Sequence, residues 1–260
     1  MEKTISSKQI FLIPLCLVFL TTLGSGYIYF GSYSVDKLYL SLLFKLSIII
    51  LTIVLIVKYR SFIQCKFREN IFTFLGSLFL LFISVNDVHK TILVANYAVS
   101  TKDHFTFLCN VFATGVFEEL LFRVLLFYLI LTKYSDKWKS VLITSFIFSL
   151  AHFSNLLNPD VVKISILNQV VFAFGIGVLL QSLLLRFKSL FLIITLHSLL
   201  NYFGSYKRIL LHQEQTIHYD YSSTSFLPSL FFALIFNSIL IFVAYQLIST
   251  QLKTGKTLRY

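Results

Sequence analysis

Two adjacent carboxylates and a guanidinium stand in an otherwise apolar stretch, Val116-Phe117-Glu118-Glu119-Leu120-Leu121-Phe122-Arg123. A charge near the centre of a bilayer costs at least about 2.5–3.5 kcal/mol on insertion scales. Three in one hydrophobic segment therefore require a reason. Helical spacing supplies part of it. Glu119 precedes Arg123 by four residues, the favourable order for an ion pair on one helix face. Glu118 is five residues from Arg123, roughly 140° around an α-helix, and is poorly placed to share it. One carboxylate reads as paired and its neighbour as available for chemistry. The bland alternative is that all three charges only tie helices together.

Two further polar pairs sit in apolar stretches. Phe148 and His152 are four apart and share a helix face, as do His197 and Asn201. A lone histidine in a span is ordinarily a hydrogen-bonded packing residue. Two histidines, an asparagine and a free glutamate on three helices are the parts of a water-activating hydrolytic site: a carboxylate base, a histidine partner and oxyanion donors. Ser198 lies about 100° round the helix from His197, which argues against a Ser–His nucleophile. Other polar groups carry less. Lys45, within the second apolar stretch, is expected to snorkel or pair. His89, His104, His212 and His218 are expected in solvated outer loops. Asn155, Asn168 and Gln169 are expected to line the cavity or bond between helices, and Gly175 and Gly177 to permit close helix packing.

The elements that must hold these groups are membrane helices. The chain has 260 residues, 57% hydrophobic and only 13% charged, against about 25% charged in soluble domains. A soluble fold of this size could not hide so much apolar surface, whereas lipid solvates it. Eight spans are expected, at about Ile10–Phe30, Leu38–Val57, Ile71–Val85, Phe105–Leu131, Trp138–Phe153, Ile164–Leu185, Leu190–Phe203 and Leu227–Ile248. The first is too long for a signal-peptide core and reads as a retained helix. The short stretch Thr91–Ser100 reads as re-entrant or interfacial. The fold class is an all-α polytopic bundle of about eight transmembrane helices, one membrane domain over 1–260 with its core at about 105–203. Most Lys and Arg fall in alternate loops, among them Lys58, Arg60, Lys133, Lys137, Lys139, Arg186 and Lys188, which puts both termini in the cytoplasm. The net charge of +11 is met by anionic lipid and implies no nucleic acid. Cys16, Cys65 and Cys109 are far apart and form neither a disulfide framework nor a thiolate metal site.

Glu118-Glu119-x-x-x-Arg123, Phe148-x-x-x-His152 and His197-x-x-x-Asn201, in that order on successive helices, resemble the CAAX prenyl endopeptidase and bacteriocin-processing family of intramembrane proteases, also called the Abi family. The resemblance covers roughly Phe105 to Tyr202. It implies a glutamate-dependent endopeptidase acting on a membrane-associated protein or peptide. Glu118 would activate water, His152 would help hold it, and His197 with Asn201 would stabilise the oxyanion. Glu119, Arg123 and Phe148 would support the site. The cofactor is left open: zinc on Glu118, His152 and His197, or none. The His-Glu-x-x-His motif that would put two zinc ligands on one helix is absent. The implied partners are lipid and a peptide or protein substrate, lipidated or not. The alternatives are a non-enzymatic bacteriocin self-immunity protein of the same fold, and a proton-coupled transporter, for which the repeats that mark transport sites are lacking.

Overall fold

The computed structural model describes residues 35–61, 101–157, 163–205 and 223–253, with shorter pieces at 12, 16–20, 63, 67, 71 and 74–79. Among these residues the protein is all-helical. Helix α1 spans Val35–Lys58. Helix α2, Thr101–Glu118, runs without a break into a π-helical stretch, Glu119–Leu126, and on into α3, Phe127–Tyr134. This rod is the axis of the bundle. Every side chain from Leu121 to Ile130 is buried, and apart from Arg123 the segment is hydrophobic on every face, as expected of a central helix. Helix α1 covers one flank, with Ile48 and Phe44 in the cluster formed by Phe117, Leu121 and Leu125.

Two tight turns fold the chain back on the rod. Ser135, in the left-handed region at φ 54°, ends α3 by donating its N–H to Leu131 O at 2.8 Å. Asp136 then caps α4, Lys137–Ala151, by accepting the Lys139 N–H at 2.9 Å. Lys188, at φ 57°, ends α5, Lys163–Phe187, in the same way. Ser189 follows it and accepts the Leu192 N–H at 3.1 Å to start α6, Leu190–Ser205. A left-handed residue followed by a side-chain cap reverses the chain in very few residues. Helices α4 and α5 are antiparallel, with Gly177 beside Ser145 and Asn155 bonded to Gln169 at 2.9 Å. Both turns therefore lie at one end of the bundle, where the basic residues Lys133, Lys137, Lys139, Arg186 and Lys188 gather.

Helix α7, Ser223–Lys253, packs on α5 and turns Phe231, Phe232, Ile239 and Phe242 outward. Lipid rewards helix contacts through close approach and polar ties rather than through apolar burial. Both are present. Asn237 donates to the Val171 carbonyl beside Gly175, and Asn168 donates to Ser229 Oγ at 2.6 Å. Three described helices are long and apolar enough to cross a membrane, Tyr39–Lys58, Ile164–Phe187 and Phe226–Ser249. Helices of that length and apolarity, in a chain that is 57% hydrophobic, make this an integral membrane protein.

The spans expected at Phe105–Leu131, Trp138–Phe153, Ile164–Leu185 and Leu190–Phe203 are helices with slightly different ends. Those expected at Ile10–Phe30 and Ile71–Val85 fall largely, and Thr91–Ser100 wholly, outside the described residues, so the described helices fall short of a count of eight. The first of the four differs most, because its helix begins at Thr101. His104 is thereby lifted out of the expected solvated loop. It is buried, bonded to the Tyr202 hydroxyl and stacked on that ring at 5.8 Å. Lys45 pairs with Asn110, its Nζ 3.3 Å from both the backbone and the side-chain oxygen.

Gly177 sets the spacing of α4 and α5. A Cβ there would lie 3.0 Å from Ser145 Cβ and 3.2 Å from Phe148 Cδ1. Gly177→Leu should destabilise the protein by about 1–3 kcal/mol, the usual cost of overpacking. Thermal unfolding in detergent micelles, read against Gly76→Leu at an open position, measures the difference.

Candidate active site

The cluster assembles where α2 passes into the π-helical stretch. The i→i+5 bonding there, seen in the Phe127 N–H to Phe122 O bond, widens the turn, and such widened turns are frequent at functional sites. The 100° spacing assumed from the sequence therefore does not hold across this stretch. The Glu119–Arg123 pair forms nonetheless, with Arg123 Nε 3.2 Å from Glu119 Oε2 and both side chains fully buried. Glu118 is the last residue of the α-helical part, and its side chain is 21% exposed.

His197 comes from α6 and joins both glutamates. Its Nδ1 is 2.6 Å from Glu119 Oε1, and its Nε2 is 3.3 Å from Glu118 Oε2. A carboxylate held by a guanidinium is ionised and accepts only, so His197 donates Nδ1–H to Glu119. That bond fixes the ring and directs Nε2 at Glu118. The close approach of α6 depends on Gly115, one turn before Glu119. A Cβ there would run into Ser198 Oγ and come within 3.4 Å of Ile194 O. Sequence reasoning passed over this glycine. The available signal was a small residue four positions before a buried charge, on the same helix face.

Phe148, on α4, is the hub beneath the cluster. The Arg123 guanidinium carbon lies 4.4 Å from its ring centroid. The two η-nitrogens of Arg123 have no hydrogen-bond partner among the described residues, so the face of Phe148 is what receives that side of the charge. The same ring meets His152 at 4.9 Å, His197 at 5.8 Å and Phe122 at 5.1 Å, all edge-on. His152 donates Nδ1–H to the Phe148 carbonyl at 3.0 Å, which leaves Nε2 as an acceptor. It lies within electrostatic reach of Glu118, His197 and Arg123. Asn201 stands one turn beyond His197 on α6 and is partly exposed. Helix periodicity alone relates it to the cluster.

The structure thus brings Glu118, Glu119, Arg123, Phe148, His152 and His197 together from three helices. Among the described residues no three His, Cys, Asp or Glu side chains are arranged to hold a metal ion. Glu118, His152 and His197 are among the described residues and form no such group.

Residues 100–203 match the family model described as type II CAAX prenyl endopeptidase Rce1-like. The matched segment contains all three motifs and is the part of the chain that carries the resemblance read from the sequence. The match spans 104 of the chain's 260 residues. No curated protein and no solved structure matches the chain.

The two carboxylates should respond differently to neutralisation. Glu119→Gln strips the buried Arg123 of its counter-charge, and such a broken pair costs about 3–5 kcal/mol. Glu118→Gln removes a partly exposed charge and should leave stability within about 1 kcal/mol, typical of substitutions away from the buried network. Parallel thermal melts of the two variants test this, and equal losses would contradict the division between them.

Proposed function

We propose that this chain is an intramembrane peptidase that hydrolyses a peptide bond of a membrane-associated protein or peptide, with Glu118 as the base that activates water. One observation carries the reading above the others. The His197 ring is held by Glu119 through Nδ1 and faces Glu118 through Nε2, 3.3 Å away. A partly exposed carboxylate thus has an imidazole edge beside it, in a water-poor interior where such groups act strongly.

The chemistry follows from these atoms. A water bound at Glu118 gives its proton to the carboxylate as its oxygen attacks the scissile carbonyl carbon. A new C–O bond forms as the carbonyl π bond breaks onto its oxygen, giving a tetrahedral intermediate that carries an oxyanion. His197, protonated at Nε2, and the Asn201 amide donate to that oxyanion. The proton on Glu118 then passes to the leaving nitrogen as the oxyanion re-forms the carbonyl and the C–N bond breaks, which yields a carboxylic acid and an amine. His152, with its proton committed to the Phe148 carbonyl, accepts from the attacking water through Nε2 and helps orient it. Glu119 and Arg123 touch no reacting atom. They position His197.

Two substitutions separate the roles. Glu118→Gln should lower kcat by about 100- to 10,000-fold, the range for loss of a general base. Asn201→Ala should lower it by about 100- to 1,000-fold with little change in KM, as for loss of an oxyanion donor. Purified protein in nanodiscs, assayed on quenched prenylated peptides, gives both values. Wild-type rates in Glu118→Gln would exclude it as the base.

A further inference from the structure

Asn201, the oxyanion donor of the peptidase reading, stands near the end of α6, which stops at Ser205. Among the described residues its amide has no hydrogen-bond partner, so its place is set by the helix backbone alone. Two anchors hold that backbone before it. Glu119 takes His197 through Nδ1, and Gly115 of α2 lets Ser198 come close. Past Tyr202 the contacts thin out. Phe203 and Gly204 are exposed, and a Cβ on Gly204 would meet nothing within 4 Å. The last carbonyls of a helix also lack intrahelical partners, so a final turn is held by whatever side chain ties it down. Here that side chain is Tyr202. It is fully buried, its hydroxyl is bonded to His104 Nε2, and its ring lies 5.8 Å from both the His104 and the Phe107 ring. His104 and Phe107 belong to α2, the helix that runs unbroken into Glu118 and Glu119.

We propose that Tyr202 and His104 are positioning residues, whose bond fixes the last turn of α6 against α2 and so places the Asn201 amide for the oxyanion. This deepens the peptidase reading and rests on it. Tyr202 follows Asn201 directly, so a shift of one backbone shifts the other. An oxyanion donor works only when it is held in place beforehand, and a misplacement of about 1 Å can cost about 100-fold in rate. Apolar packing alone tolerates small slides between helices. A buried hydrogen bond, with its narrow range of length and angle, selects one register. Neither ring touches a reacting atom. The pair acts through Asn201, as Glu119 and Arg123 act through His197, and the two ties hold α6 to the rod on either side of the oxyanion site.

Double-mutant kinetics on protein in nanodiscs, with the quenched prenylated peptides as probes, test this. Tyr202→Phe removes the hydroxyl and keeps the ring. It should lower kcat about tenfold with little change in KM, as for a donor moved by a fraction of an ångström. In the Asn201→Ala background the same substitution should change kcat by less than about twofold, because no amide is left to misplace. His104→Phe should give both results, and Tyr202→Phe combined with His104→Phe should be no slower than either alone. A merely structural bond would lower the melting temperature and cost the same factor with and without Asn201. That outcome overturns the proposal, as does an unchanged kcat in Tyr202→Phe. A second readout needs no cleavage. In protein labelled with nitrogen-15 asparagine, the Asn201 side-chain amide is assigned by its loss in Asn201→Ala. Tyr202→Phe should shift or broaden that resonance and leave the His197 Nδ1 proton in place, and an unmoved Asn201 amide overturns the proposal. Absence of cleavage by the wild type contradicts the peptidase reading, and the Asn201 resonance then decides alone whether the pair positions it.

Discussion

The Glu119 carboxylate is the group on which the rest of the site depends. It is fully buried and takes Arg123 on one oxygen and His197 on the other. In an apolar interior an unpaired carboxylate is too costly to keep ionised, and a pair is stable only when the remaining polar atoms are also served. Glu119 meets that condition with one partner on its own helix and one on α6. The same two bonds do structural and chemical work. They join the rod to α6, and they fix the Nδ1 proton and the rotation of His197 so that its far nitrogen looks at Glu118. Adjacent glutamates thereby sit in different surroundings, one fully buried and doubly paired, the other partly exposed.

The surrounding packing serves that arrangement. Gly115 lets α6 come close enough for His197 to reach Glu119, and Gly177 lets α5 press α4 inward so that Phe148 sits under the cluster. Phe148 then touches Arg123, His152 and His197 at once. A ring offers its face to a cation and its edge to neighbouring rings, so this one side chain supports three polar groups while the residue's own carbonyl accepts from His152. The widened π turn begins at Glu119, where the chain changes from an exposed carboxylate to a buried one.

Much of this was legible in the sequence, because charges in hydrophobic spans are conspicuous and helical spacing is regular. The Glu119–Arg123 pairing and the shared face of Phe148 and His152 follow from residue type and interval. Other features were not legible, for identifiable reasons. The π turn has no local signature in Glu119–Leu126, since its bonds answer to tertiary packing. His104 was misjudged because the polar residues around it mimic a loop, and its partner Tyr202 lies far along the chain. Gly115 gave only the weak signal of a small residue. Ser135 and Lys188 adopt the left-handed conformation that glycine usually supplies, so the ends of their helices were blurred, while the Asp136 cap after the first was written plainly. The metal question shows the limit of motifs most clearly. Glu118, His152 and His197 are the right residue types for zinc, and only coordinates reveal that they do not converge as ligands.

The central claim is that Glu119 holds His197 through Nδ1 and so aims Nε2 at Glu118. Nitrogen-15 NMR of histidine-labelled protein in nanodiscs tests it most directly, with His197→Gln used to assign the resonance. The account predicts a protonated Nδ1 with a strongly downfield proton, lost in Glu119→Ala. An unprotonated Nδ1 in the wild type, or the same downfield proton surviving in Glu119→Ala, would contradict it.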